Sequence, residues 1–191
     1  MYYLADACVS TPETKTTAES IRFVMTGGPE RVAAVPGALL LNGQEGQPST
    51  LRLTLGNPTA EPVIEQVAES GDGAASIRYP AAWPGVDAVI KATPNGLAYD
   101  LLVQPGVDPS VIDLAYVGAT ELVIEAGRLR TRTPDGSRLS GLPESWQDGP
   151  NGRENVTSSF ELRGDGHFGF TVGPFDPSRI LLIDPPDAPS N

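Results

Sequence analysis

Hydrophobic and polar positions alternate along much of this chain with a period of two. Leu51, Leu53 and Leu55 interleave with Arg52 and Thr54, Ile21, Phe23 and Met25 with Arg22 and Val24, and Ile112, Leu114 and Tyr116 with Asp113, Ala115 and Val117. Successive side chains of an extended strand point to opposite faces, so each run predicts a half-buried β-strand. Shorter strands are predicted at 31–35, 38–41, 63–69 and 75–79, with turns at Pro36-Gly37, Asn42-Gly43 and Gly71-Asp72-Gly73 between them.

The clearest hairpin pairs residues 86–92 with 97–103 across Pro94-Asn95-Gly96, between two copies of Pro-Gly-Val-Asp at 84–87 and 105–108. Proline presets its own φ and glycine takes the positive φ such turns need. Further hairpins are predicted for 121–125 with 128–132 across Ala126-Gly127 and for 156–162 with 167–172 across Gly164-Asp165-Gly166. Residues 137–140 add another strand, and 180–183 a closing, apolar one. No run of about ten residues carries a helical period. Many short strands at turn-separated intervals predict an all-β fold, a twisted antiparallel β-sandwich.

Composition agrees with that pattern: among 191 residues, 21 Gly and 19 Pro give about a fifth of the chain to turn formers. That length buries one good core, so residues 20–185 are expected to form a single sandwich-like domain, with two subdomains meeting near 80 as the alternative. Residues 1–19, with Tyr2 and Tyr3 at the head of a polar stretch, are expected to be a flexible arm, and 186–191 a proline-rich tail. No apolar run approaches the roughly 18 residues of a membrane-spanning helix, so no transmembrane segment is expected.

Net charge is −11, from 24 acidic against 13 basic residues, and no basic stripe stands out. Such a chain repels phosphate backbones, which disfavours nucleic acid as a partner. A single cysteine excludes an internal disulfide framework and a cysteine-based zinc site. Leu4-Ala5-Asp6-Ala7-Cys8 is similar to a bacterial lipidation site, yet only seven residues precede Cys8 and none forms a charged or apolar leader, so a free thiol is expected.

Candidate chemistry is sparse. Asp87, Asp100, Asp108, Asp176 and Asp184 invite a reading as a glycosidase carboxylate pair or as ligands for Ca²⁺, but no Asp-x-Asp-x-Asp-Gly run is present. The stronger expectation is structural. Asp-Pro-Ser at 108–110 and 176–178 suits a capped turn in which the aspartate accepts from a backbone N–H two or three residues on, and Asp100 suits an ion pair with an arginine such as Arg130. His167 is the only histidine, which excludes histidine metal clusters. With no Gly-x-Ser-x-Gly elbow it is expected to be a partly exposed strand residue. Arg163-Gly164-Asp165 at a hairpin tip and the formal glycosylation acceptor Asn155-Val156-Thr157 are both read as ordinary turn and strand chemistry. Tyr99 and Tyr116 alternate in phase with aliphatic residues and belong in the core. Trp83 and Trp146 lie beside turns, where an exposed face would suit a sugar ring.

Together, Trp-Pro-Gly-Val-Asp at 83–87, Leu-Ala-Tyr-Asp at 97–100, Val-Gln-Pro-Gly-Val-Asp-Pro at 103–109, Ile112, Gly118-Ala119, the 127–136 hairpin, Phe-Asp-Pro-Ser-Arg at 175–179 and Leu-Ile-Asp-Pro at 182–185 resemble one family in order and spacing. It is the domain of unknown function found ahead of SBBP β-propeller repeats in large secreted bacterial proteins. The resemblance covers about residues 20–185. Trp83 stands where that family has Tyr, Ala98 where it has Glu, and Trp146-Gln147 where it has Tyr-Gln, while an Asn-Tyr-Phe-x-Gly segment near Gly71 is missing or shortened. What the resemblance implies is an exported, modular β-domain with no established catalytic set. The expected function is therefore a non-catalytic structural or interaction module, without cofactor, docking onto a protein partner or a larger surface assembly through strand edges, the aromatic arm with Tyr2 and Tyr3, or the tail. A carbohydrate-binding module using Trp83 and Trp146 is the first alternative and a glycoside or ester hydrolase the second.

Overall fold

A computed structural model describes residues 2–4, 7–10, 21–27, 30–42, 51–66, 75–93, 96–134 and 136–185. The Pro94-Asn95 and Gly71-Asp72-Gly73 turns, residues 11–20 and the tail at 186–191 lie outside them.

Among the described residues, nineteen strands follow one another with a single short helix among them. They are β1 (Tyr2–Leu4), β2 (Ala7–Ser10), β3 (Phe23–Gly27), β4 (Glu30–Val35), β5 (Ala38–Asn42), β6 (Leu51–Thr54), β7 (Val63–Gln66), β8 (Ala75–Trp83), β9 (Val86–Thr93) and β10 (Gly96–Val103). After a 3₁₀ turn at Pro109–Val111 come β11 (Leu114–Val117), β12 (Glu121–Glu125), β13 (Arg128–Thr133), β14 (Gly136–Leu139), β15 (Glu144–Gly149), β16 (Gly152–Val156), β17 (Ser158–Gly164), β18 (His167–Val172) and β19 (Leu181–Asp184). All the described pairings are antiparallel.

They build a nine-stranded sheet in the order β1-β2-β3-β4-β5-β6-β11-β18-β17, a seven-stranded sheet in the order β16-β15-β19-β10-β9-β8-β7, and a small sheet β12-β13-β14. The two large sheets share one core. Leu39, Leu53, Leu114 and Phe168 of the first and Ile77, Ile90, Leu101 and Ile183 of the second are buried in a single cluster. This is the all-β, sandwich-like fold that the alternation predicts. The phase of each run decides its face: Leu51, Leu53 and Leu55 are buried while Arg52 and Thr54 are only partly covered. Fully burying a side chain such as Leu or Ile is worth about 1.5–3 kcal/mol, which fixes the register of each strand against a one-residue slip.

Two expectations about domain limits need correction. Residues 1–19 are not wholly an arm, because β1 and β2 extend the nine-stranded sheet, β2 pairing with β3 through Cys8 opposite Thr26 and Val9 opposite Met25. Nor does a subdomain boundary fall near 80. Strand β8 runs through that point, with Tyr79 and Trp83 in the shared core.

Strand β8 also carries the main irregularity of the seven-stranded sheet. Tyr79 pairs with Ala88, but the next core-facing pair is Trp83 with Val86, so β8 holds two residues more than β9 over this stretch. Pro80, which has no N–H to give a ladder, and Ala81 at φ +49° form the excursion. It is tied down from both sides: the Ala81 amide donates to Asp87 Oδ1 at 2.6 Å, while Asn57 bonds Ala81 O through Nδ2 and Ala82 O through its own amide. Asp87 also takes Arg78 Nη2 at 2.5 Å.

The sheets are pinned together by two aromatic residues of β8. The Tyr79 hydroxyl, fully buried, lies 2.9 Å from Val35 O and 2.7 Å from Ala38 O across the Pro36-Gly37 turn of the opposite sheet, and burial pushes its phenol well above the usual range. Trp83 is 2% exposed, and its Nε1 donates to Asp113 O at 3.2 Å. The indole lies flush against Gly56, where a Cβ would fall 2.2 Å from Trp83 Cδ1. The expectation that Trp83 presents an open face is thus overturned. The two-residue excursion returns the strand in phase, so the last residue before the Pro84-Gly85 turn points into the core.

Candidate functional site

Three regions of the surface gather side chains that could do chemistry or recognise a partner. The first is the outer face of the seven-stranded sheet. Leu101 and Ile183 face the core, so their neighbours Asp100 and Asp184 face outward from adjacent strands. Glu144 stands directly opposite Asp184 on β15. Asp100 is 7% exposed and its Oδ2 is held by Lys91 of β9 in a close ion pair. Its Oδ1 is buried without a hydrogen-bond partner. Asp184 is half-buried, and desolvation first, then the Asp100 charge, push its carboxyl up to about 6. Asp100 was expected to pair with Arg130; Arg130 instead pairs with Glu125 at 2.7 Å across the small sheet, because β13 belongs to a different layer.

Trp146 stands on the same outer face of β15, since its neighbours Ser145 and Gln147 are buried at 4% and 2%. The Arg153 guanidinium covers its ring at 3.6 Å from the centroid. A cation over the indole face satisfies the ring quadrupole and takes the surface a sugar would stack on. Trp83 lies in the core and Trp146 on this outer face, while Tyr2 and Tyr3 lie on β1 at the far edge of the other sheet. The structure does not bring the four aromatic candidates into one site.

The second region is an open cleft of about 260 Å³ between Thr120–Leu122 and the Gly164–His167 hairpin tip. His167 lines it and is partly exposed, as expected, with Nδ1 2.8 Å from Asp113 Oδ2. That partner is separated from it by 54 residues and has no sequence signature. Arg163 beside it is not presented for recognition: Nη1 donates to Ile112 O at 2.7 Å and Nη2 to Ser110 O at 3.2 Å, and Asp113 lies 3.6 Å from the guanidinium. The Arg-Gly-Asp tripeptide at 163–165 is therefore anchored to the 3₁₀ turn through its first residue. Thr120, which also lines the cleft, donates its hydroxyl to Arg132 O at 3.2 Å.

The Asp-Pro-Ser turns form as expected. Asp108 Oδ1 accepts from the Ser110 amide at 2.9 Å and caps the 3₁₀ turn. Asp176 Oδ1 accepts from the Ser178 amide at 2.9 Å, and Oδ2 from Arg179 Nε at 3.0 Å. Hydrogen bonds from the following serine hold both carboxyls below their ordinary value. Among the described residues, no three Asp, Glu, His or Cys side chains gather closely enough to hold a metal ion.

The third region is the edge strand β7. Among the described residues it pairs only with β8, Val63 opposite Arg78 and Ile64 opposite Ile77. Ile77 is fully buried, so Ile64 lies on the core-facing side of the sheet, yet Ile64 is 39% and Val63 44% exposed. Among the described residues the sandwich is open at this rim, with apolar side chains on both faces of a strand edge that none of them pairs with.

No curated protein and no solved structure matches the chain. A family model matches residues 42–186, from the end of β5 through β19, and so begins later than residue 20, where the sequence resemblance starts. With some three quarters of its length matched, this chain belongs to the DUF7948 family, a domain of unknown function.

Proposed function

We propose that this domain is a non-catalytic interaction module of an exported bacterial protein, and that it docks onto a partner protein or surface assembly by adding a partner strand to β7. The observation that carries the reading is the β7 rim. An unpaired strand edge offers N–H and C=O groups to a second chain, and exposed β-branched side chains on both faces give that chain apolar surface to cover. Val63 and Ile64 supply that surface. The likeness of the 83–113 and 175–185 signatures to the domain preceding SBBP repeats supports export and a modular role.

The carbohydrate alternative is weakened by Trp83 in the core and by Arg153 over Trp146. The hydrolase alternative is weakened by the partners of its best carboxylates, since Asp87, Asp108 and Asp176 each accept from a backbone amide.

The test is affinity capture from native material with quantitative mass spectrometry, comparing the wild-type chain with Ile64→Lys, which places a charge on the rim at a side chain left 39% exposed. One stoichiometric partner, retained by wild type and lost in the variant, is expected. Binding to a polysaccharide on a glycan array, abolished by Trp146→Ala, would replace this reading with the carbohydrate one. Turnover of glycoside or ester substrates lost in Asp100→Asn would replace it with the enzymatic one.

A further inference from the structure

Strand β19 is held between β10 and β15, and its last residue, Asp184, meets a carboxylate on each side. Glu144 is opposite it on β15, and Asp100, one step beyond the Leu101–Ile183 pair, is opposite it on β10. Like charges directly across a strand pair destabilise it. Two cations nearby attract the Asp184 carboxylate, but less than burial and the Asp100 charge oppose it. Lys91 of β9 is paired with Asp100 Oδ2, and Arg153 of β16 lies over the Trp146 ring. Asp100 Oδ1 remains buried with no hydrogen-bond donor. An acceptor in that position lacks a proton, and a neutral Asp184 carboxyl has one to give.

We propose that Asp184 is a proton-operated latch: protonated, it donates to Asp100 and closes the β10-β19-β15 seam; ionised, it repels Asp100 and Glu144 and loosens the β15-β16 hairpin. The inference is independent of the docking role assigned to β7.

The direction in pH follows from the sign of the shift. A carboxyl raised in the folded state binds its proton more tightly there than in the unfolded chain. The folded state therefore carries no penalty below the ordinary value of 3.8, loses stability as pH rises, and bears the full penalty above about 6.

The experiment is thermal unfolding of the full chain, wild type and Asp184→Asn, at pH 4.5 and pH 8, with hydrogen exchange of 144–156 and 181–184 corrected for intrinsic rate. Asp184→Asn is expected to raise Tm by roughly 2–6 °C at pH 8 and by clearly less at pH 4.5, where only part of the penalty is present, on the usual scale of a few degrees per kcal/mol. Protection of the β15-β16 hairpin is expected to fall several-fold between the two pH values in wild type and to stay level in the variant. An equal loss of Tm at both pH values overturns the proposal. So does a Ca²⁺-dependent rise of Tm at pH 8 confined to wild type, which would make a cation the neutralising group. Should the variant fail to fold, carbon-detected NMR titration of the wild-type Asp184 carboxyl decides the matter: a midpoint near 6 sustains the latch and one near 4 ends it.

Discussion

Gln147 and the backbone of Asp176 hold each other by two reciprocal hydrogen bonds, Oε1 accepting from the Asp176 amide and Nε2 donating to its carbonyl, both at 2.8 Å. Nε2 also reaches Arg179 O at 3.2 Å. A buried amide side chain thus takes the place of a missing strand, supplying the backbone of the Phe-Asp-Pro-Ser-Arg turn with the partners a sheet would have provided. Arg179 closes the outside of the same loop on Asp176, Asp148 O and Glu154.

Gln147→Ala leaves the partly buried Asp176 amide and Arg179 carbonyl without this partner, while the Asp176 carbonyl keeps the Arg179 amide at 3.2 Å. A loss of about 1–3 kcal/mol is expected, the usual cost of leaving such groups unsatisfied. Urea unfolding monitored by circular dichroism measures the change, and a loss below about 1 kcal/mol would show that the turn is held by Arg179 instead.

Trp83 and Gly56 predict a steric outcome. Gly56→Ala puts a methyl 2.2 Å from an indole carbon that is itself locked by Asp113 O, so the ring must move or the two sheets must part. Destabilisation of about 1–3 kcal/mol is expected, as for other overpacked cores. The two tryptophans also separate spectroscopically. Iodide is expected to quench the fluorescence that remains in Trp83→Phe, which reports Trp146, more than that in Trp146→Phe, which reports Trp83.

At Ala81, φ +49° is a conformation that a side chain resists and glycine accepts. Ala81→Gly is expected to leave stability unchanged or to raise it by up to about 1 kcal/mol, despite the greater freedom of the unfolded chain. Asp87→Ala, which removes the acceptor for that amide and the partner of Arg78, is expected to cost about 1–3 kcal/mol. The two substitutions made together measure how far the carboxylate serves to hold the strained residue: their coupling falls to zero if it does not.

Acid stability is tied to the two Asp-Pro-Ser turns. Asp108 and Asp176 have carboxyls lowered by the following serine. A lowered carboxyl contributes stability that is present above its unfolded value and is lost as pH falls through its folded value. Wild-type stability should therefore decline below about pH 4. The double variant Asp108→Asn, Asp176→Asn should show a shallower decline over that range, measured as the slope of unfolding free energy against pH. Asp184 acts in the opposite sense and at higher pH, so the two effects separate on one titration.

Much of the fold is legible residue by residue. The hairpins at 86–103, 121–133 and 158–172 lie within two residues of their predicted limits, because period-two alternation and Pro-Gly or Gly-Asp-Gly turns are local signals. Strands β15 and β16 were missed: Glu-Ser-Trp-Gln-Asp-Gly buries a serine and a glutamine, so its inward face does not read as hydrophobic. The Asp-Pro-Ser turns were legible for the same local reason as the hairpins, since donor and acceptor lie two residues apart.

The chain alone determined most of its strands and turns and which side of the alternating runs faces inward, since these follow from side-chain alternation and from the dihedral limits of Pro and Gly. Tertiary structure decided which strands became neighbours, and with that everything of chemical interest on the surface. Asp100 meets Asp184 across 84 positions of sequence, His167 meets Asp113 across 54, and Trp83 goes inward because β8 takes two residues more than its partner. Sheet order is set by how whole faces pack, a collective property no local pattern encodes, and a carboxylate acquires its proton affinity only from the groups that order places beside it.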